Sequence, residues 1–295
     1  MSKGRASPKT AGMASTLVAR APWLPRVARG ARRGMNVATA AHQEQNVEVF
    51  VPIAQEEVLR NYRRVANDVA QAAVECGRNP EEVKLVAVTK THTLEHVLPA
   101  RTIAGCVNFG ENRLEEALQK IERARDLGVD DVNWHYIGTL QSRKAKKLVD
   151  SGSFCLVHSV DSFKLARKLS QAADTGDRMV HVLLQVNTSG ESSKQGLNPD
   201  GWKQAVQEGL LDLPGLSIEG LMTMAPFTND EDVIRSCFSK LASFRGELQC
   251  LAGKGTRHSI KELSMGMSND YKIAIEEGST IVRVGTDIFG SRPKP

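Results

Sequence analysis

The sequence predicts an α/β fold, a single (β/α)₈ TIM barrel. Three observations carry that expectation. Eight short apolar runs lie between residues 84 and 285, and helical patterns separate them in alternation. The alternation fills the span of about 250 residues that eight such units need. No segment rich in Pro, Gly or Ser divides the chain after residue 50, so one domain over residues 44–295 is expected. An open doubly wound sheet is the alternative, but no G-x-G-x-x-G, its usual dinucleotide fingerprint, follows any run.

The elements follow in order. Leu59, Tyr62, Val65, Val69, Ala72 and Cys76 recur at helical spacing over 52–76, with Gly77 and Pro80 as a stop. Strands are predicted at 84–90 (KLVAVTK), 106–110 (CVNFG), 133–138 (NWHYIG) and 154–160 (FCLVHSV). The second half adds 180–187 (VHVLLQVN), 216–223 (LSIEGLMT), 261–266 (KELSMG) and 280–285 (TIVRVG). Short runs of this kind suit parallel strands buried on both faces. Helices are predicted at 94–104, 112–127, 141–150, 161–174, 199–210, 230–252 and 270–278, with a short segment, 286–291, after the last strand.

The net charge of +5 is concentrated in residues 1–43, which hold eight Lys and Arg and no acid. The remaining 31 basic and 34 acidic residues leave the body slightly acidic. An Arg-rich, acid-free start containing Ser and Ala has the composition of a transit peptide for a mitochondrion or plastid; the alternative is a disordered tail on a cytoplasmic protein. No run approaches the roughly 20 apolar residues of a membrane helix, so no membrane partner is expected. Five cysteines, odd in number and without a C-x-x-C pair, argue against a disulfide framework and for a reducing compartment. The basic run SRKAKKLV at 142–149 has helical spacing and reads as a solvated face, so no nucleic-acid partner is expected either. HTLEH at 92–96 matches H-x-x-E-H, but it starts at a strand end and Pro99 is expected to interrupt its helix; no metal site is predicted.

Chemistry in such a barrel sits at the C-terminal ends of the strands. Period two sets Val86, Val88 and Lys90 on one face, so Lys90 would project from the top layer toward the mouth. Desolvation there favours the neutral amine, which can attack an aldehyde and form a Schiff base. The competing reading is a lysine whose head group reaches water. LSMGMSNDY at 263–271 and STIVRVGTDIFG at 279–290 follow the seventh and eighth strands, where barrels bind phosphate. Gly285 lets the backbone approach an anion, Thr286 adds a hydroxyl, and Ser264 with the Gly266 turn adds further donors. Plain turn residues are the competing reading. Arg283 shares a face with Ile281 and Gly285, and a guanidinium in an apolar strand needs an internal carboxylate or a ligand heteroatom. A lysine, a phosphate cradle and an arginine together suit pyridoxal 5′-phosphate (PLP), whose ring nitrogen would stay unprotonated against Arg283.

At these residues the chain resembles the pyridoxal phosphate homeostasis protein family. The likeness covers residues 55–292 and rests on GRNPEEVKLVAVTK, NFGENRLEEALQK, WHYIGTLQSRKAKKLV, HSVDS, LLQVNTSGESSKQGL, GLMTM, ELSMGMSNDYKIAIEEGSTIVRVG and IFGSR. It implies a barrel similar to the N-terminal domain of alanine racemase, with PLP bound covalently on Lys90. It also implies that Ser264, Gly285 and Thr286 take phosphate positions, that Arg283 takes the ring-nitrogen position, and that Asn112 of the GEN motif neighbours the cofactor. The chain departs from the family at Thr91-His92 after the lysine, at Arg113 after GEN and at Met224-Ala225 after GLMT, which touches the rim of the pocket.

The function so implied is that of a PLP carrier or buffer in intracellular vitamin B6 homeostasis, monomeric, without strong catalysis, and serving PLP-dependent apo-enzymes. A PLP-dependent amino-acid racemase or decarboxylase is the alternative. Racemases on this barrel take a second base from a further β domain, which is not expected in a sequence running to Pro295, and none of Tyr62, Tyr136 and Tyr271 is obviously that base. A phosphosugar lyase would share the lysine and the phosphate site but lacks an acid/base partner beside Lys90.

Overall fold

A computed structural model describes residues 53–90, 92–191 and 194–290; the expected targeting segment, residues 1–43, lies outside them. Eight strands close a barrel in sequence order: β1 (Lys84–Val88), β2 (Asn108–Glu111), β3 (Asn133–Tyr136), β4 (Leu156–Val160), β5 (Val180–Gln185), β6 (Leu216–Met222), β7 (Glu262–Ser264) and β8 (Ile281–Val284). Every pairing is parallel, and β8 pairs with β1 to complete the ring, which excludes the open sheet. Six of the strands end one or two residues earlier than the sequence implies. Thr89-Lys90, Thr223 and Gly266 leave the ladder and enter the loops at the C-terminal end.

The helices are α1 (Ile53–Glu75), α2 (Leu94–Thr102), α3 (Leu114–Asp126), α4 (Ala145–Ser151) and α5 (Phe163–Thr175), then α6 (Pro199–Gln207), α7 (Glu231–Ala252), α8 (Tyr271–Glu276) and α9 (Thr286–Phe289). Side-chain caps account for several starts: Ser162 accepts from Leu165 N at 3.4 Å, Asn198 from Gly201 N at 2.8 Å, and Asp230 from Asp232 N at 3.1 Å. Pro99 does not interrupt α2, contrary to the expectation. It lies in the middle of a nine-residue helix, where it removes one backbone donor, and its own carbonyl still accepts from Ile103 N at 3.0 Å. The predicted helix at 141–150 begins late, because Ser142–Lys144 form a 3₁₀ turn first. Its basic side chains meet surface acids, Lys144 with Glu115 at 2.9 Å and Lys146 with Asp150 at 2.6 Å. Among the described residues no helix is long and apolar enough to cross a membrane.

Period two divides the apolar residues between two compartments. Leu85 and Ala87 point outward into the shell between β1 and its helices, together with Phe109, Trp134 and Val282. Val86 points inward and packs with Leu156, Leu183, Met222 and Ile281 as a layer that plugs the barrel. The candidate site residues lie toward the C-terminal ends of the strands, beyond that plug. α1 precedes the barrel and packs on α2, α8 and α9, with Asn61 donating to Ile288 O at 3.3 Å. The short helix after the last strand is thereby buttressed from below.

Candidate functional site at the C-terminal mouth

Lys90 follows β1 by two residues and is half-buried. The residue before it is held on three sides. Thr89 is fully buried; its N–H donates to Gly110 O at 3.0 Å, and its hydroxyl donates to Glu111 Oε1 at 2.6 Å. Its carbonyl accepts from Lys120 Nζ at 2.9 Å and from His92 N at 3.1 Å. Lys120 also pairs with Glu111 inside the outer shell. Burial raises the Glu111 carboxyl, and the Lys120 charge and hydrogen bonds oppose that rise. The second oxygen, Glu111 Oε2, is buried without a partner among the described residues. A buried ion pair behind the sheet thus pins the turn that carries Lys90.

Asn112, just past β2, is locked by its neighbours. A Cβ on Gly138 would lie 2.0 Å from Asn112 O, so only glycine lets β3 pass this close. Ser159 donates to Gly138 O and Ile137 N donates to Glu111 O, which laces the ends of β2, β3 and β4 together. Asn112 Oδ1 is buried with no hydrogen-bond partner among the described residues. Such an orphan in a well-packed fold calls for an explanation, and a bound group is one.

Gly285 and Thr286 sit at the junction of β8 and α9. Thr286 is exposed, and the amides opening the helix have no intrahelical acceptor. A Cβ on Gly285 would press on Val88 Cβ at 3.3 Å, so a side chain here would crowd β1. The ring of His92 packs 5.1 Å from that of Phe289, which ties the turn after Lys90 to α9. The lysine turn and the expected anion cradle are therefore neighbours across the β1–β8 seam.

Arg283 is 4% exposed. It donates to Ser264 Oγ at 2.5 Å and to Thr223 O at 3.0 Å, and among the described residues it forms no ion pair. Burial lowers it to about 10, opposed by the negative charge of Asp270. Burial likewise raises Asp270, whose carboxylate accepts from Met267 N at 2.6 Å. The sequence placed Ser264 among donors to an anion. In the structure it is fully buried, and its oxygen bonds Arg283 and, at 2.8 Å, His158 Nδ1.

Two of these partners escaped the sequence reading. His158 Nε2 lies 2.9 Å from His135 Nδ1, and His135 Nε2 lies 3.4 Å from Asn108 Oδ1. Both rings are fully buried. Burial holds His135 down to about 3 and His158 well below its ordinary value, with Lys84 and Arg283 adding positive charge nearby. The signal was present: each histidine occupies an inward position of an apolar strand, in NWHY and LVHSV.

Among the described residues no group of three His, Cys, Asp or Glu could hold a metal, and the side chains of Glu95 and His96 in HTLEH lie outside them. A groove of about 460 Å³ opens beside the loop after β5, between Asn187–Gly190 and α7, and its lining shares none of the residues above.

The alanine racemase N-terminal domain family matches residues 57–293. The pyridoxal phosphate homeostasis protein of Aquifex aeolicus is 38% identical over 229 residues, 78% of this chain and 96% of the relative. The chain belongs to the pyridoxal phosphate homeostasis protein family. PipY of Synechococcus elongatus PCC7942, in a structure with PLP bound, superposes with a TM-score of 0.68 at 34% identity, covering 79% of this chain and all of PipY. Alanine racemase of Corynebacterium glutamicum, at 19% identity and a TM-score of 0.58, shares the fold over 81% of this chain and 62% of its own.

Proposed function

We propose that this chain binds PLP at the C-terminal mouth and acts as a carrier or buffer in vitamin B6 homeostasis, holding the cofactor covalently through Lys90. The observation that carries this reading is the seam itself: a pinned lysine turn beside the opening of α9, with a buried arginine on the strand that runs into Gly285. The residues present fit the group. Asn112 Oδ1 is an unsatisfied acceptor at the mouth, Gly285 and Thr286 offer backbone and hydroxyl donors, and Arg283 is a cation held by neutral acceptors. PLP supplies an aldehyde for an amine and a phosphate for amides and hydroxyls. PipY, related over most of the chain, has been seen with PLP bound.

The non-catalytic part of the proposal rests on what surrounds the mouth. Arg283 opposite a ring nitrogen leaves that nitrogen unprotonated and the ring a weak electron sink. A racemase also needs a second base. Tyr136 OH donates to Thr139 O, Tyr271 OH points to Asp68, and burial with the neighbouring Cys106 raises Tyr62 far above its ordinary value. All three pack in the outer shell rather than at the mouth. On this reading the chain works as a monomer that passes PLP to apo-enzymes. Residues 1–43 direct it to an organelle, as their acid-free, Arg-rich composition supports. A reporter fused to those residues should leave the cytosol; uniform cytosolic signal would overturn that last point.

The deciding experiment is spectroscopic. Full-length protein incubated with PLP should gain an absorbance band that borohydride abolishes, with the reduced label mapping to Lys90. Lys90→Ala should lose the covalent label entirely. A colourless protein that retains no PLP by mass overturns the cofactor, a label on another lysine overturns Lys90, and amino-acid racemisation or decarboxylation at rates typical of dedicated enzymes overturns the carrier role.

A further inference from the structure

We infer that His135 and His158 are positioning residues for Arg283: with Ser264 they form a one-way hydrogen-bond chain that holds the guanidinium in place. The chain crosses the barrel interior from β8 through β7, β4 and β3 to β2, linking Arg283, Ser264, His158, His135 and Asn108.

Its direction follows from what each group is able to do. A guanidinium only donates, so Ser264 Oγ accepts from Arg283. At the far end, Asn108 Oδ1 also accepts from Asn133 Nδ2 at 3.1 Å. His135 Nε2 must therefore donate to it. Both imidazoles are neutral, since burial and the charges of Lys84 and Arg283 oppose a proton on either. A neutral ring has one N–H, so His135 Nδ1 accepts and His158 Nε2 donates. His158 Nδ1 then accepts, and the Ser264 hydroxyl gives it its proton. The opposite polarity would set two acceptors, the His135 Nε2 lone pair and Asn108 Oδ1, against each other.

Two consequences follow. Ser264 has no proton left for an anion at the mouth; its free electron pairs face Arg283. The guanidinium is thus oriented by two neutral acceptors, Ser264 Oγ and Thr223 O, and its positive charge, met only by the nearby charge of Asp270, remains for whatever binds above. A carboxylate in the position of Ser264 would hold the arginine equally well but cancel that charge. Packing alone does not explain the two imidazoles, because Leu156 and Leu183 fill the neighbouring layer and polar side chains bury at a cost.

The proposal rests on the PLP reading only where it concerns ligand affinity, and the experiment separates the two. Long-range ¹⁵N NMR of the full chain without PLP should show both histidines as Nε2–H tautomers, unchanged from pH 8 to pH 5. His158→Phe severs the chain and should weaken PLP binding about tenfold while shifting the absorbance maximum of bound PLP. His158→Asn, whose amide oxygen accepts from Ser264, should recover most of that loss. If His158→Phe does not fold, Ser264→Ala makes the same cut one link later, with the same expected weakening and shift. An Nδ1–H tautomer on either ring overturns the chain, as does a severed variant with wild-type PLP affinity and spectrum. A wild-type protein that binds no PLP overturns the functional reading, while the tautomers still decide the chain.

Discussion

The two ends of the barrel interior treat charge in opposite ways. At the N-terminal end the two buried carboxylates, Glu262 and Glu219, are answered from within. Glu262 takes Lys84 on one oxygen and Thr280 on the other, at 2.6 Å. Glu219 takes His181 at 2.6 Å and Ser217 at 2.7 Å on one oxygen and Ser259 on the other. At the C-terminal end Arg283 has only neutral acceptors, and Asn112 Oδ1 has no partner among the described residues. Internal matching makes the lower end a fastening, whereas unmatched groups make the upper end a place for something else to bind. That division of labour is general in (β/α)₈ barrels, and here it is visible in individual atoms.

Acid should break the comparison most strongly, because the two ends titrate in different windows. His135 and His158 are held below their ordinary value by burial, so the unfolded chain binds more protons than the folded one as pH falls below 6.5. Stability is thus complete above that value and lost downward toward about 3, the level of His135. The charged groups facing the pair are the cations Lys84 and Arg283, which act in the same direction as burial. Glu219 behaves differently. Burial works against its ionisation, but hydrogen bonds from His181, Ser259 and Ser217 outweigh it and leave the carboxyl lowered, so its contribution is lost only in the carboxylate range. Urea unfolding at pH 6.5, 5.5 and 4.5 should show wild-type stability falling by roughly 1.4 kcal/mol per pH unit for each buried imidazole. His135→Gln combined with His158→Gln should flatten that slope to the share of His258, which burial also lowers. An unchanged slope in the double variant would place the acid sensitivity elsewhere.

Arg283→Gln tests the upper end directly. A charge-assisted hydrogen bond contributes about 1.5–3 kcal/mol, so PLP affinity by absorbance titration should fall roughly tenfold to a hundredfold. Stability should change by less than about 1 kcal/mol, because both hydrogen-bond acceptors of the guanidinium are neutral and Asp270, which feels its charge, forms no ion pair with it among the described residues. A large loss of stability with unchanged affinity would make Arg283 a fastening like those below.

The barrel was legible because its signals are local. Short apolar runs and amphipathic helices alternate, and period two within KLVAV or TIVRV already separates the plug from the shell. The seam of the site was legible for the same reason, since Lys90, Gly285 and Thr286 follow directly from the strand ends. What escaped depends on contacts between distant strands. Ser264 resembles a turn donor until His158, 106 residues earlier, appears beside it. The pair Glu111–Lys120 reads as ordinary helix and strand charge until closure of the barrel end places both behind Thr89. Pro99 looked like a break because the rule concerns helix interiors, whereas α2 is short and already needs few backbone bonds.

Lys84→Met should have the smallest effect on PLP affinity and is the sharpest control. It removes one partner of the Lys84–Glu262 pair while leaving Thr280 on the other carboxylate oxygen. Breaking a fully buried pair costs about 3–5 kcal/mol. Lys84 keeps 28% of its side chain exposed, so solvent takes up part of the unpaired charge of Glu262 and a loss of about 2 kcal/mol is expected in urea unfolding. PLP affinity should stay within about twofold of wild type, since the apolar plug of Val86, Leu156, Leu183 and Ile281 separates this pair from the mouth. The pattern is the reverse of that for Arg283→Gln, which is the content of the comparison. Loss of PLP affinity in Lys84→Met without loss of stability would show that the charge of Lys84, which His135 and His158 already feel, is relayed through them to Arg283, and that the two ends form one electrostatic unit.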